Sequence, residues 1–338
     1  MIAAAFAAVR RGVRAGQTRN EVFAASVRGQ LDLIEGALLD ATEARTPMVS
    51  DAARHVIAAG GKRFRPLLVV LGSQFGSAHH PDDVVKAAVV VELTHVASLY
   101  HDDVMDEAGL RRGSPSANAR WGNTIAILVG DFLFAKASDI VSELGPEFVR
   151  LQARTFFRLV QGQIAETVGP GPGQDPLEHY LQVVADKTGS LIATSALFGS
   201  KIAGAEPTMQ QKLRKFGEEI GIVFQLSDDI IDVTSDETGK TPGTDLREGI
   251  PTLPTLLARR STDPADGPLL ELLDSDLHDD SALAEALRLL RMHRSIEQAR
   301  EHVRYRAEAA RTLLDELPTG PARDALNELC DTVVTRVA

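Results

Sequence analysis

MQQKLRKFGEEIGIVFQLSDDIIDV, residues 209–233, decides the fold class. Its apolar residues return every three or four positions, at Leu213, Phe216, Ile220, Val223, Leu226, Ile230 and Val233. That is the repeat of a helix with one buried face, and not of a strand. The same spacing runs through residues 84–100 (VVKAAVVVELTHVASLY), Thr124–Val141 and the tail from Ala282 to Leu317. Ala, Leu, Glu and Arg dominate these stretches and aromatic residues make up 5% of the chain, which favours helix over sheet. No turn dipeptide sits between alternating runs, as a hairpin would require. The breakers at 169–176 (GPGPGQDP), 236–249 and 261–268 are too short to be flexible linkers. The reading is all-α, a helical bundle in one domain over residues 21–338 after a loose extension at 1–20.

Composition narrows the function. The 338 residues are 44% hydrophobic and 25% charged, well clear of the disordered range. Lys and Arg number 36 against 47 Asp and Glu, a formal net charge of −11. Such a surface repels phosphate backbones and argues against a nucleic-acid partner. Cys330 is the single cysteine, so neither a disulfide framework nor a thiolate zinc cluster can form within the chain. No apolar run approaches the roughly 20 residues of a membrane-spanning helix. Met1–Val9 is apolar, but Arg10 and Arg11 follow it instead of preceding it, the reverse of a secretory signal. The expectation is a soluble, cytoplasmic protein.

One short pattern recurs. Asp102, Asp103 and Asp106 form DDVMD, and Asp228, Asp229 and Asp232 form DDIID. On a helix, positions i and i+4 share a face with i+1 beside them. A single box is easily met by chance at a solvated helix end; two, each closing an apolar helical run, are not. Like charges crowded beside a core are costly unless cations neutralise them. Oxygen ligands without His or Cys suit Mg²⁺, which keeps several waters and is usually shared with substrate phosphates. Cations supply the other half. GGKRFRP (60–66) sets Lys62 and Arg65 three apart where a helix start would favour an anion, and Arg111 and Arg112 follow the first box. Salt bridges within an acidic chain would also explain Arg111 and Arg112. Metal-binding aspartates and two cation clusters with no nucleophile indicate a site for diphosphates.

At these residues the chain resembles the trans-isoprenyl diphosphate synthases of the polyprenyl synthetase family. The signatures stand in family order: GGKRFRP, HVASLYHDDVMDEAGLRRG, GDFLFAKA, GQIAE, DKTGSL, FQLSDDIIDV and GKTPGTDLREGIPTLP. The resemblance implies a bundle of long helices around a deep central cavity with the boxes at its mouth, and a homodimer. It implies head-to-tail condensation of isopentenyl diphosphate with an allylic diphosphate. Three Mg²⁺ ions, replaceable by Mn²⁺, would accompany the substrates. Asp102, Asp106, Asp228 and Lys187 would carry catalysis, and all six box aspartates, Asp103, Asp229 and Asp232 included, are metal candidates. Asp103 and Asp229 could instead stand behind the ligands, holding waters or cations.

Carried over position by position, Lys62, Arg65, His95 and Arg112 resemble the isopentenyl diphosphate pocket. Arg111, Lys187, Thr188, Gln225 and Lys240 resemble the allylic diphosphate contacts. Lys187 and Thr188 would otherwise read as an ordinary helix turn. Ala97 and Ser98, small residues one turn before the first box, are the chain-length candidates. They point to a product longer than C20, a quinone side-chain precursor of roughly C30 to C50 that is delivered to a membrane. Two departures stand out: Ile250 occupies a position where many members carry Lys, and Gln163 one where several carry Glu. A farnesyl or geranylgeranyl diphosphate synthase is the nearest alternative. A terpene cyclase would lack the second box and GGKRFRP, and a non-catalytic subunit of a two-component synthase would lack the boxes.

Overall fold

The computed structural model describes residues 17–78, 80–234 and 242–337. The all-α expectation holds. Helix Pro207–Thr234 covers the stretch read first, and Pro81–Met105, Asn123–Glu143, Asp280–Met292 and Ser295–Leu314 cover the other periodic runs. The first described helix begins at Gln17, so residues 17–20, assigned above to a loose extension, are helical; residues 1–16 lie outside the described residues. Among the described residues the only strands are two residues long, Leu110–Arg111 and Ser114–Pro115, paired antiparallel.

The residues group into two compact units. The first comprises the described residues up to Phe157 with 191–217 and 313–328; the second comprises 158–190, 218–312 and 329–337. The core of the first unit is helix Pro81–Met105, which is apolar on nearly every side. Ala87, Val90, Leu93, Val96 and Ala97 are all 0% exposed. A helix of that kind must be surrounded by protein. It packs against Asn123–Glu143 and also against Phe64–Gly72 and Gln17–Ala41. It is long and apolar enough to cross a membrane, contrary to the expectation from sequence, but most of its apolar length is buried inside the protein. Each buried Val or Leu contributes about 1.5–3 kcal/mol, and the helix end that carries the first box is thereby fixed.

In the second unit, Val233, Leu246, Ala258, Leu269, Leu283, Leu290 and Ile296 form a core beside the second box. The GPGPGQDP breaker ends in a helix start. Asp175 accepts hydrogen bonds from the Leu177 and Glu178 N–H groups, with Pro176 at the first helical position of Pro176–Val184. Such a cap is worth about 1 kcal/mol. This short helix leads directly into the DKTGSL motif.

Candidate active site

The first box lies at the very end of its helix. Met105 is the last helical residue, and Asp106 caps the end with its N–H on the Asp102 carbonyl at 2.8 Å. Asp102 is half-buried, Asp106 exposed and Asp103 wholly buried. Arg111 Nε donates to Asp103 Oδ1 at 2.6 Å. Burial pushes the Asp103 carboxyl up, and Arg111 opposes the shift. The arginine read as an allylic phosphate contact is therefore engaged with the aspartate read as a metal ligand. A tight turn separates the two neighbouring arginines, with Arg112 at φ 54° and Gly113 at φ 78° between the paired strands. Positive φ at both central residues is the twist a two-residue hairpin needs, though without the Asn-Gly pair that would announce it. In the preceding turn His101 Nε2 lies 3.5 Å from Asp131 of GDFLFAKA.

Turned away from its neighbour, Arg112 donates to the carbonyls of Val56, at 2.8 Å, and Gly60. A Cβ on Gly61 would come 2.6 Å from Arg63 and 3.0 Å from Arg112, so the glycine lets both guanidinium groups close in. Lys62 precedes the helix Phe64–Gly72, so it shares no helix face with Arg65, contrary to the spacing argument. Arg63, left-handed at φ 42°, bonds Glu35 at 2.6 Å and the buried Glu92 at 3.2 Å. Arg65 is half-buried, and its buried Nε has no hydrogen-bond partner. Burial, reinforced by Arg112, brings its guanidinium down to about 10. Four guanidinium groups here meet three carboxylates, Glu35, Glu92 and Asp103, so the cluster is net positive and holds an unsatisfied donor. That is what an incoming anion requires.

His95 stands within this cluster. Burial, together with Arg65, Arg112, Arg111 and Arg63, holds its imidazole well below the ordinary value of 6.5. As pH falls below 6.5 the unfolded chain takes a proton that the folded one refuses, so stability is present above that pH and drains away beneath it. The slope is at most about 1.4 kcal/mol per pH unit. His95→Gln should flatten the fall in melting temperature between about pH 6.5 and 5. An unchanged slope would mean that the imidazole protonates in the folded protein.

In the second unit, DKTGSL is no ordinary helix turn. Residues Ala185–Gly189 form a π-helical segment between Pro176–Val184 and Ser190–Ile202. Such bulges widen a helix locally and recur at functional sites. Gly162 of GQIAE explains its placement: a Cβ there would meet the Lys187 backbone nitrogen at 2.8 Å. Lys187 Nζ pairs with Glu166 of the same motif at 2.5 Å. Arg158, which the sequence did not single out, bridges Asp186 and Glu218 and pins the segment. Thr188 Oγ1 donates to Gln225 Oε1 at 3.3 Å, and Gln225 Nε2 donates to Asp229 Oδ1 at 3.0 Å.

Asp229 repeats the burial of Asp103. It is 3% exposed, and it also accepts from the Tyr180 hydroxyl and from the Leu253 N–H at 3.3 Å. Burial raises its carboxyl to about 6 against the pull of those bonds. Asp228 and Asp232 are half-buried. Asp228 takes Arg336 at 2.5 Å, and Asp232 accepts the Asp245 N–H at 3.3 Å. The DLREGIPTLP motif thus reaches the second box through backbone groups of Asp245 and Leu253. Ile250 is half-buried with its N–H on the Asp245 carbonyl at 2.8 Å. Lys240 lies outside the described residues.

Among the described residues no three His, Cys, Asp or Glu side chains converge into a self-contained metal cage. The donor set nevertheless fits Mg²⁺, which is commonly held by one or two carboxylates and completed by phosphate oxygens and water. Asp102 with Asp106, and Asp228 with Asp232, are the more accessible carboxylates of the boxes and the ones that would hold it. Asp103 and Asp229 are buried.

The model of the polyprenyl synthetase family matches residues 46–290. A nonaprenyl diphosphate synthase of Mycobacterium tuberculosis is 46% identical over 317 residues, 93% of this chain and 95% of that one. Among solved structures, a geranylgeranyl pyrophosphate synthase of Corynebacterium glutamicum, complexed with calcium and isoprenyl diphosphate, is 43% identical with a TM-score of 0.84, covering 93% of this chain and 97% of that one. A polyprenyl synthase of Caulobacter crescentus, also complexed with calcium and isoprenyl diphosphate, is 31% identical with a TM-score of 0.87 over 94% of this chain and 98% of that one. Likeness that spans nearly the whole chain in sequence and in fold leaves one assignment: the chain belongs to the polyprenyl synthetase family.

Proposed function

We propose that the protein condenses isopentenyl diphosphate head to tail with an allylic diphosphate and releases a trans-polyprenyl diphosphate longer than C20. The observation that carries this is the shared register of the two boxes: the first aspartate of each is half-buried, the second buried and held by protein donors. Mg²⁺, when bound, offsets the charge on the diphosphate oxygens and eases departure of the leaving group. Asp102, Asp106 and Asp228 hold such ions, three with both substrates bound, and Mn²⁺ substitutes. Lys187, Thr188 and Gln225 orient the allylic diphosphate. Lys62, Arg65 and Arg112 bind the isopentenyl diphosphate, and His95, neutral within that cluster, donates a hydrogen bond to it without adding charge. No residue is needed as general base, because the departing pyrophosphate can take the proton.

Purified protein incubated with labelled isopentenyl diphosphate and dimethylallyl, geranyl, farnesyl or geranylgeranyl diphosphate in turn, with and without chelator, tests the reading. Chain extension that ignores chelation would sink it. The pocket divides in the same assay. Lys62→Ala and Arg65→Ala should raise KM for isopentenyl diphosphate about ten- to hundredfold, the worth of a charge-assisted contact of roughly 1.5–3 kcal/mol. Lys187→Ala should act on the allylic substrate instead. Equal effects of all three variants on both KM values would overturn the division.

A C20 product is the second reading, supported by the likeness to a geranylgeranyl synthase. The assembly we propose is a homodimer. Ile127, Leu128 and Phe157 are 43%, 57% and 67% exposed on helices Asn123–Glu143 and Pro146–Val168, apolar surface suited to a second copy. We place the enzyme in the cytoplasm, loosely associated with the membrane that receives its product.

A further inference from the structure

The arginines of the two boxes take different carboxylates. In the first, Arg111 is bound to the buried Asp103. In the second, the donors to buried Asp229 are all uncharged, namely Tyr180, Gln225 and the Leu253 N–H. The arginine there, Arg336, is bound to Asp228, the counterpart of Asp102. Its guanidinium lies 5.1 Å from the centroid of the Phe224 ring, and its buried Nη1 has no hydrogen-bond partner. The segment that carries it is anchored. Val333 and Val337 are 1% and 4% exposed, and Arg300 Nε donates to the Val337 carbonyl at 2.6 Å. A cation is thus held against a carboxylate assigned to metal, with a donor unused and an aromatic face to support it.

We infer that Arg336 is a positioning residue of the second box that neutralises Asp228 in the metal-free protein and competes with the divalent cation for it. This rests on the reading of Asp228 as a metal ligand. Two cations cannot both sit on one carboxylate oxygen without repulsion. An ion at Asp228 must therefore displace the guanidinium or share the carboxylate's charge with it, and either way the Arg336 contact lowers the apparent metal affinity. In return, the half-buried carboxylate beside Asp229 and Asp232 is not left uncompensated when no ion is present.

The test is Mn²⁺ binding to the full chain without diphosphate, followed by the electron paramagnetic resonance of the free ion. Wild type, Arg336→Gln, Arg336→Lys, Asp228→Asn and the Asp228→Asn/Arg336→Gln double variant are compared. Asp228→Asn should remove one class of sites. Arg336→Gln should tighten that class about three- to tenfold, the range of a partly exposed ion pair. It should also lower the metal-free melting temperature, a deficit that closes at saturating Mn²⁺. Arg336→Lys should fall between, and in the Asp228→Asn background Arg336→Gln should change nothing. Unchanged or weaker binding in Arg336→Gln, or the same tightening without Asp228, overturns the inference. If Arg336→Gln does not fold, an unchanged affinity in Arg336→Lys overturns it instead. Loss of a site in Asp228→Asn with no response to Arg336 refutes this inference alone, whereas no loss in Asp228→Asn refutes the metal reading and this inference with it.

Discussion

Asp102→Ala and Asp228→Ala should each cut turnover about a thousandfold or more while the protein stays folded, whereas Asp103→Ala and Asp229→Ala should cost stability first. The contrast follows from burial. Asp102 and Asp228 are half-buried, and removing either relieves like-charge crowding in its box. The cost falls on the diphosphate, whose developing charge loses its counter-ion. Asp228→Ala also frees Arg336, at about 1 kcal/mol or less for a partly exposed pair. Asp103 and Asp229 are buried and paired, so their loss strands other groups. Without Asp103, Arg111 loses its carboxylate. Without Asp229, the Tyr180 hydroxyl, the Gln225 amide and the Leu253 N–H lose an acceptor together. About 2–4 kcal/mol is expected for each. Melting temperature measured beside kcat for the four variants checks this. Four equal losses of activity at unchanged melting temperature would mean that all four aspartates hold ions.

Much of this was legible in the sequence, for a physical reason. A three- and four-residue apolar repeat can bury one face only as a helix, so residues 209–233 declare their structure locally. The boxes were legible because clustered carboxylates beside apolar runs are unfavourable without a cation. What stayed hidden depends on residues far apart in the chain. The π segment at Ala185–Gly189 is set by the approach of Gly162 and by Arg158, more than twenty residues earlier. The hairpin at Arg112 places an arginine at positive φ, where turn preferences would call for Asn or Gly. The family resemblance implied a phosphate contact from each of Arg111 and Arg112, one for each substrate, with salt bridges as the other explanation of the pair. The turn instead directs one to Asp103 and the other to the carbonyls of Val56 and Gly60. DLREGIPTLP was read for its side chains, yet it reaches the second box through the backbone N–H groups of Asp245 and Leu253, which any sequence of that conformation would supply.

Ser98→Phe should shorten the product by several isoprene units while the rate of the first addition stays nearly unchanged. Ser98 lies one helical turn before Asp102, is half-buried, and returns its hydroxyl to the His95 carbonyl at 2.8 Å. A side chain so placed can be enlarged without breaking a contact to another element. Its neighbours are committed. Ala97 is 0% exposed, and its carbonyl oxygen lies only 3.2 Å from where a Cβ on Gly130 would stand, in the packing of Pro81–Met105 against Asn123–Glu143. Ala97→Phe would overfill that contact, at about 1–3 kcal/mol or more, so it should lower the melting temperature before it alters the product. Tyr100 is also 0% exposed, with its hydroxyl donating to the Ala52 and Ala53 carbonyls of helix Pro47–Ala58, so its ring is fixed by packing. If the growing chain runs along this helix face, small Ser98 is the residue expected to leave room for it, and the wild-type product should exceed C20. Sizing the labelled products of wild type and Ser98→Phe decides the matter. A wild-type enzyme that stops at C15 or C20 with every starter, or a Ser98→Phe variant whose product is as long as the parent's, would remove Ser98 from the control of chain length.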